Sequence, residues 1–245
     1  MRYKTIFLAA VLCALSCTKK PEAKIKAAAV NKDTLNQEVY EGEYEGYESE
    51  EINLKQLDFP KSGKNAEAFV LEPCEIKMKA EGFLNDDTLK DIVIVLQNKY
   101  NNTDDRAVLV LLQQRSGEYK LQDISWEALR DGDFNDSEEI SIDNEKKLHI
   151  MLQNVGPAGS RETVYKYVNN ELVLVKIETF YAGAGSHLSS QYDLVSGKVD
   201  HEVTNTLHDS MPSEHQIKSF KLKTAPLFVR DNPEEILEKL PYAEW

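Results

Sequence analysis

The sequence predicts an all-β fold of antiparallel hairpins, arranged as propeller-blade-like or stacked sheets, with one short helix near the C-terminus. Three observations predict it. From Phe59 onward, apolar residues come in short runs rich in Val, Ile, Leu, Tyr and Phe, each bounded by polar turn residues. Dipeptides that tolerate positive φ separate several runs: Ser116-Gly117, Asn169-Asn170 and Ser196-Gly197. No helical periodicity recurs between the runs as a βαβ layout would require.

Taken in chain order, the first element stands outside that fold. Arg2 and Lys4 precede an uncharged, mostly apolar run over 6–15, and Ser16 lies directly before Cys17. The run is too short for a permanent membrane span but long enough for a secretory signal, so residues 1–16 are expected to be removed. Ala14, Leu15 and Ser16 before Cys17 resemble the lipobox of bacterial lipoproteins. The resemblance implies lipidation of Cys17 by diacylglycerol and a fatty acyl chain such as palmitate. Buried CH₂ groups at ~0.8 kcal/mol each would then hold the protein at a membrane. The expected location is the bacterial cell envelope, on its periplasmic or outer-membrane face. An ordinary secretory signal cut near Ala14 or Ser16 is the alternative.

The other cysteines agree with this. Cys13 leaves with the signal and Cys17 would carry lipid, so Cys74 has no partner for an intramolecular disulfide. Pro73 and Glu75 flank it, and no neighbouring His or Lys would activate it, so it reads as a structural thiol.

Residues 17–57 read as a flexible acidic tether. They include EVYEGEYEGYESEE at 38–51 and little aliphatic material to bury. Residues 58–245 read as a single β-rich domain. Strands are expected at 74–81, 91–97, 107–113, 119–124, 139–142, 147–153, 162–168, 171–181, 188–193 and 198–202. The runs DIVIVL at 91–96 and AVLVLL at 107–112 are almost continuously apolar, which suits strands buried on both faces. A short turn is expected around 65–69. The helix is expected at 233–240, with Asn232 as N-cap, Pro233 at the first position, and Glu234 and Glu235 at the positive dipole end.

The chain carries 29 Lys plus Arg against 42 Asp plus Glu, a net charge of −13 that signal removal makes more negative. This argues against nucleic acid as a partner, because phosphates demand basic patches.

One polar cluster carries candidate chemistry. Asn85, Asp86, Asp87, Thr88, Leu89, Lys90 and Asp91 place oxygen side chains at alternating positions before a strand. With Phe83 as position one, Asn85, Asp87 and Asp91 fall at positions three, five and nine of a cation loop. Residues 81–96, EGFLNDDTLKDIVIVL, resemble the GDLNxDGxxDxVVVL loop-strand of FG-GAP and VCBS-like repeats. Residues 60–70, 107–121 and 185–198 are similar to the same group of bacterial lipoproteins and secreted proteins of unassigned function. The resemblance implies blade-like antiparallel hairpins and no particular activity. Here Phe83 stands where the first aspartate belongs, and Thr88 where the turn glycine belongs. Asn85, Asp87 and Asp91 are therefore either a degenerate Ca²⁺ loop or a polar turn held by Asx-type hydrogen bonds. The turn is preferred, because calcium takes six or more oxygens. A second polar string, 131–136, reads as a loop.

No catalytic constellation stands out. His149, His187, His201, His208 and His215 form no close zinc pair. Ser186 lacks the glycine pattern of a nucleophile elbow. Trp126 reads as a core anchor before a ligand platform. The functional expectation is a lipid-anchored envelope protein with a binding or structural role towards an envelope protein or glycan. The alternatives are a hydrolase of envelope polymers using carboxylates, or a calcium-dependent adhesion module.

Overall fold

The computed structural model describes residues 53–130, 137–154 and 159–244. The expected signal, Cys17, most of the tether, the 131–136 string and Trp245 lie outside them. The described chain forms two antiparallel sheets. The first contains β1 (Ser62–Gly63), β2 (Cys74–Gly82), β3 (Asp91–Asn98), β4 (Ala107–Gln113) and β5 (Tyr119–Ser125), in the order β1-β5-β4-β3-β2. The second is a meander of β6 (Ser137–Ile142), β7 (Lys147–Gln153), β8 (Ser160–Val168), β9 (Glu171–Gly183), β10 (Ser186–Asp193), β11 (Lys198–Asn205) and β12 (Ser213–Ser219), in sequential order. A short helix, α1 (Pro233–Leu237), follows. The sheets are stacked over a shared core, so of the two arrangements expected it is the stacked one that forms.

The apolar runs explain the layering. Val93, Val95, Val108 and Val110 of β3 and β4 point to the core shared with the second sheet, where Leu148, Ile150, Leu152, Tyr165, Leu174 and Ile177 receive them. Their neighbours Ile92, Ile94, Leu96, Leu109 and Leu111 point the other way. That outer face is covered by Leu54, Phe59, Ala66 and Phe69 from the segment before β2. Each fully buried aliphatic side chain contributes ~1.5–3 kcal/mol, so the first sheet is held from both sides.

Leu54 corrects the expected tether boundary. It is 4% exposed and lies in a 3₁₀ turn, Leu54–Gln56, whose first residues are capped by Asn53. Residues 53–57 thus belong to the folded body, because the apolar side of the first sheet needs their cover.

The turns form as their chemistry dictates. Asn169 and Asn170 both take positive φ, 53° and 67°, between β8 and β9. Gly117 and Gly197 do the same in their hairpins. In the β6–β7 turn the positive φ falls on Lys146, at 63°. Asp143 Oδ1 there accepts from the N–H groups of Glu145 and Lys147, at 2.8 and 2.9 Å.

Two features depart from expectation, and a third is one the strand pattern leaves open. β12, SEHQIKS, is an added strand whose side chains are mostly exposed, so it has no alternating apolar pattern to reveal it. The helix stops at Leu237 and continues as a tighter turn, with Leu240 N–H donating to Leu237 carbonyl at 2.9 Å. Leu237 and Leu240 still reach the shared core. Finally, β6 returns beside β2, where Gly82 makes room: a Cβ there would stand 2.6 Å from Ile142.

Candidate functional site: a lysine-lined cleft beside the Asn85 loop

The loop joining β2 to β3 is built from its own acceptors. Asn85 Oδ1 accepts from Asp87 N–H at 2.8 Å, and Asp87 Oδ1 accepts from Leu89 N–H at 2.8 Å. These are two successive Asx turns. Asp91 opens β3 and is fully buried. Its Oδ2 accepts from Leu84 N–H at 2.9 Å, and its Oδ1 accepts from Gln113 N–H on β4 at 3.0 Å. Burial pushes the Asp91 carboxyl above its usual range, while these backbone donors pull it back. Leu84, 1% exposed, anchors the loop from the core side.

The three residues read from the sequence as cation ligands are therefore brought into one loop, but their oxygens point at backbone N–H groups. Asp91 uses both of its oxygens in this way. Among the described residues, no group of three His, Cys, Asp or Glu side chains is placed to hold a metal ion. The donor set suits a staple between loop and sheet.

Beside the loop opens a cleft of about 870 Å³. Asn85, Asp86 and Asp87 form one part of its lining. Lys120 and Gln122 enter from β5, Lys146 from the β6–β7 turn, Lys166 and Tyr167 from β8, and Asn169 and Asn170 from the β8–β9 turn. Tyr167 donates its hydroxyl to Asp123 Oδ2 at 2.9 Å. Burial raises both groups, and the nearby Asp123 charge raises Tyr167 further, so the phenol keeps its proton. Lys146 Nζ pairs with Asp86 Oδ1 at 2.9 Å and holds that carboxyl below its usual range. Lys120 and Lys166 make no ion pair among the described residues.

The carboxylates of the lining, Asp86 and Asp87, are neighbours on one loop, while the strands and other turns contribute ammonium, amide and phenol groups. This is chemistry for holding an anion or a hydroxyl-rich molecule.

The histidines go elsewhere. His149 lies between two carboxylates, with Nδ1 2.7 Å from Glu162 Oε1 and Nε2 3.0 Å from Asp143 Oδ2. His201 is buried, with Nδ1 2.9 Å from Ser190 Oγ. His187 stacks edge-on with Phe180, and His215 lies 3.0 Å from Asp200. Cys74 is buried, and that burial raises its thiol. Trp126 packs beside the outer core cluster and also lines a second cleft of about 950 Å³ with Arg106 and Glu138.

The sequence reading found the acidic loop and missed Lys120, Lys146, Lys166 and Tyr167. A signal was available. In an antiparallel meander alternate turns share one end, so the turns at 143–146 and 169–170 had to be neighbours. Comparison with family models, curated proteins and solved structures finds no match for this chain.

Proposed function

We propose that this protein is a lipid-anchored binding protein of the bacterial cell envelope, held by an acyl-modified Cys17 and presenting its β-sandwich to an envelope ligand. The observation that carries the anchor is the order of basic start, short apolar run, Ser16 and Cys17. The binding role is supported by the cleft, whose size falls in the range of roughly 300–1,000 Å³ typical of ligand sites. A catalytic role draws less support, because the carboxylates of the cleft sit side by side on one loop. Polymer hydrolysis by a carboxylate pair requires two acids flanking the scissile bond.

The test is metabolic labelling with an alkyne fatty acid, followed by detergent phase partitioning, of the full chain and of Cys17→Ser. The expected result is label and detergent-phase recovery for the wild type and loss of both in the variant. Equal partitioning, with residues 1–16 still attached to the mature protein, would overturn the proposal.

A further inference from the structure

We propose that the cleft beside the Asn85 loop binds an acidic saccharide, with Lys120, Lys146 and Lys166 receiving its carboxylate or phosphate groups. This inference rests on the binding role proposed above and names the ligand class; it does not depend on the anchor at Cys17.

Charge is the first argument. Acids outnumber bases by 42 to 29 across the chain, so a random surface depression would be expected to be acidic. This cleft instead gathers three lysines from three separate segments against two carboxylates. Two of the three form no ion pair among the described residues: Lys120 meets no carboxylate there, and Lys166 reaches Asp86 only through its field. The third is held only by Asp86, whose side chain is fully exposed. An exposed pair of this kind is weak and screened by salt, so an incoming anion can compete for Lys146. Like charges gathered without partners raise the local potential and attract a counter-ion.

The remaining lining selects among anions. Gln122, Asn169 and Asn170 each bring an amide that can donate to and accept from a hydroxyl. None of the three side chains is engaged in a hydrogen bond within the described protein. The Asn85 amide nitrogen is likewise uncommitted, since only its oxygen serves the Asx turn. Leu112, half-buried at the cleft wall, adds a small apolar surface for the face of a sugar ring. Flat amides around an apolar patch, rimmed by ammonium groups, match a molecule with many hydroxyls and a few negative charges. An acidic peptide would satisfy the lysines and leave the amides with little to bind.

The experiment is isothermal titration of the full chain in detergent with four probes: trigalacturonate, trehalose 6-phosphate, maltotriose and triglutamate. The expected result is measurable heat with at least one of the two acidic saccharides, none with maltotriose, and weaker binding with triglutamate. Lys120→Gln combined with Lys166→Gln is expected to weaken that binding about tenfold with the melting temperature unchanged, because both side chains are exposed. If the double variant is destabilised, Lys146→Gln alone reads the same contact and is expected to weaken binding and its salt dependence together. Absence of heat with both acidic saccharides overturns the inference, as does equal binding of triglutamate or binding that the lysine variants leave unchanged. Fatty-acid labelling of Cys17 alongside absent binding would defeat this inference and leave the anchor standing.

Discussion

Replacing Asp91 with alanine removes two of the acceptors that fasten the Asn85 loop to the first sheet and leaves the Lys90 N–H to Gln113 Oε1 bond, at 3.2 Å, in place. The Leu84 N–H then has no partner in a nearly water-free position, since Leu84 is 1% exposed. The Gln113 N–H also loses its acceptor, but Gln113 is only half-buried and water can partly replace it. A buried donor left unsatisfied costs about 1–3 kcal/mol, so the two together cost about 2–5 kcal/mol. One opposing effect is built in. Burial raises the Asp91 carboxyl, so in the window between the ordinary carboxylate range and its raised folded value the folded state holds the extra proton. Stability from this group therefore falls as pH rises through that window, and loss of the charge recovers part of it. Asp91→Asn separates these effects. It keeps one acceptor, turns an NH₂ towards the other donor, and carries no buried charge; its expected cost is about 1–3 kcal/mol. The expected order of stability at neutral pH is wild type, then Asp91→Asn, then Asp91→Ala. For a body of about 150–250 residues, 1 kcal/mol moves the melting temperature by about 2–4 °C. The assay is thermal and urea denaturation of the three proteins, each with millimolar calcium and with chelator. Calcium is expected to leave all three midpoints unchanged. An Asp91→Ala protein within about 0.5 kcal/mol of wild type would refute the staple. So would a calcium-dependent rise in the wild-type midpoint that Asp91→Ala abolishes.

Three further outcomes follow from other sites. Partial burial pulls the His149 pKa down, but its hydrogen bonds to Asp143 and Glu162 outweigh this and raise it overall. The stability it contributes is full below the ordinary histidine pKa of about 6.5 and is lost as pH rises through the raised folded value. His149→Gln should flatten the melting temperature across that window, and an unchanged slope in the variant would count against the carboxylate clamp. Cys74, 1% exposed and with its thiol pKa raised by burial, should resist a thiol reagent in the native protein and label fully in denaturant, read by peptide mass spectrometry. Rapid native labelling would contradict the packing. Gly159→Ala should cost more than about 3 kcal/mol, combining left-handed strain with a clash. Its φ is +76°, and a Cβ would stand 1.7 Å from the Phe180 carbonyl oxygen on β9. An unchanged urea midpoint would show that β8 can shift away from β9.

The strands were largely legible in the sequence because their causes are local. Alternating or continuous apolar runs set where β3, β4 and β7 lie, and residues that accept positive φ, such as Asn169 and Asn170, set where the chain reverses. The two-faced burial of DIVIVL was equally readable, because a strand with no polar side has to be covered twice. The polar turn before Asp91 belonged to the same class: Asn85 and Asp87 bond to N–H groups two residues away. What the sequence alone left open was everything that depends on distant segments meeting. β12 carries no apolar pattern and exists through its backbone ladder to β11. The return of β6 to β2, and the cover that draws Leu54 into the body, follow from which faces remain unburied once the sheets have formed. The cleft is of this second kind. Lys120, Lys146 and Lys166 are ordinary exposed lysines in sequence, and only the stacking of two sheets places β5, the β6–β7 turn and β8 around one space. Local pattern determines backbone form, whereas convergence of side chains is decided by the packing of surfaces that the chain order keeps apart.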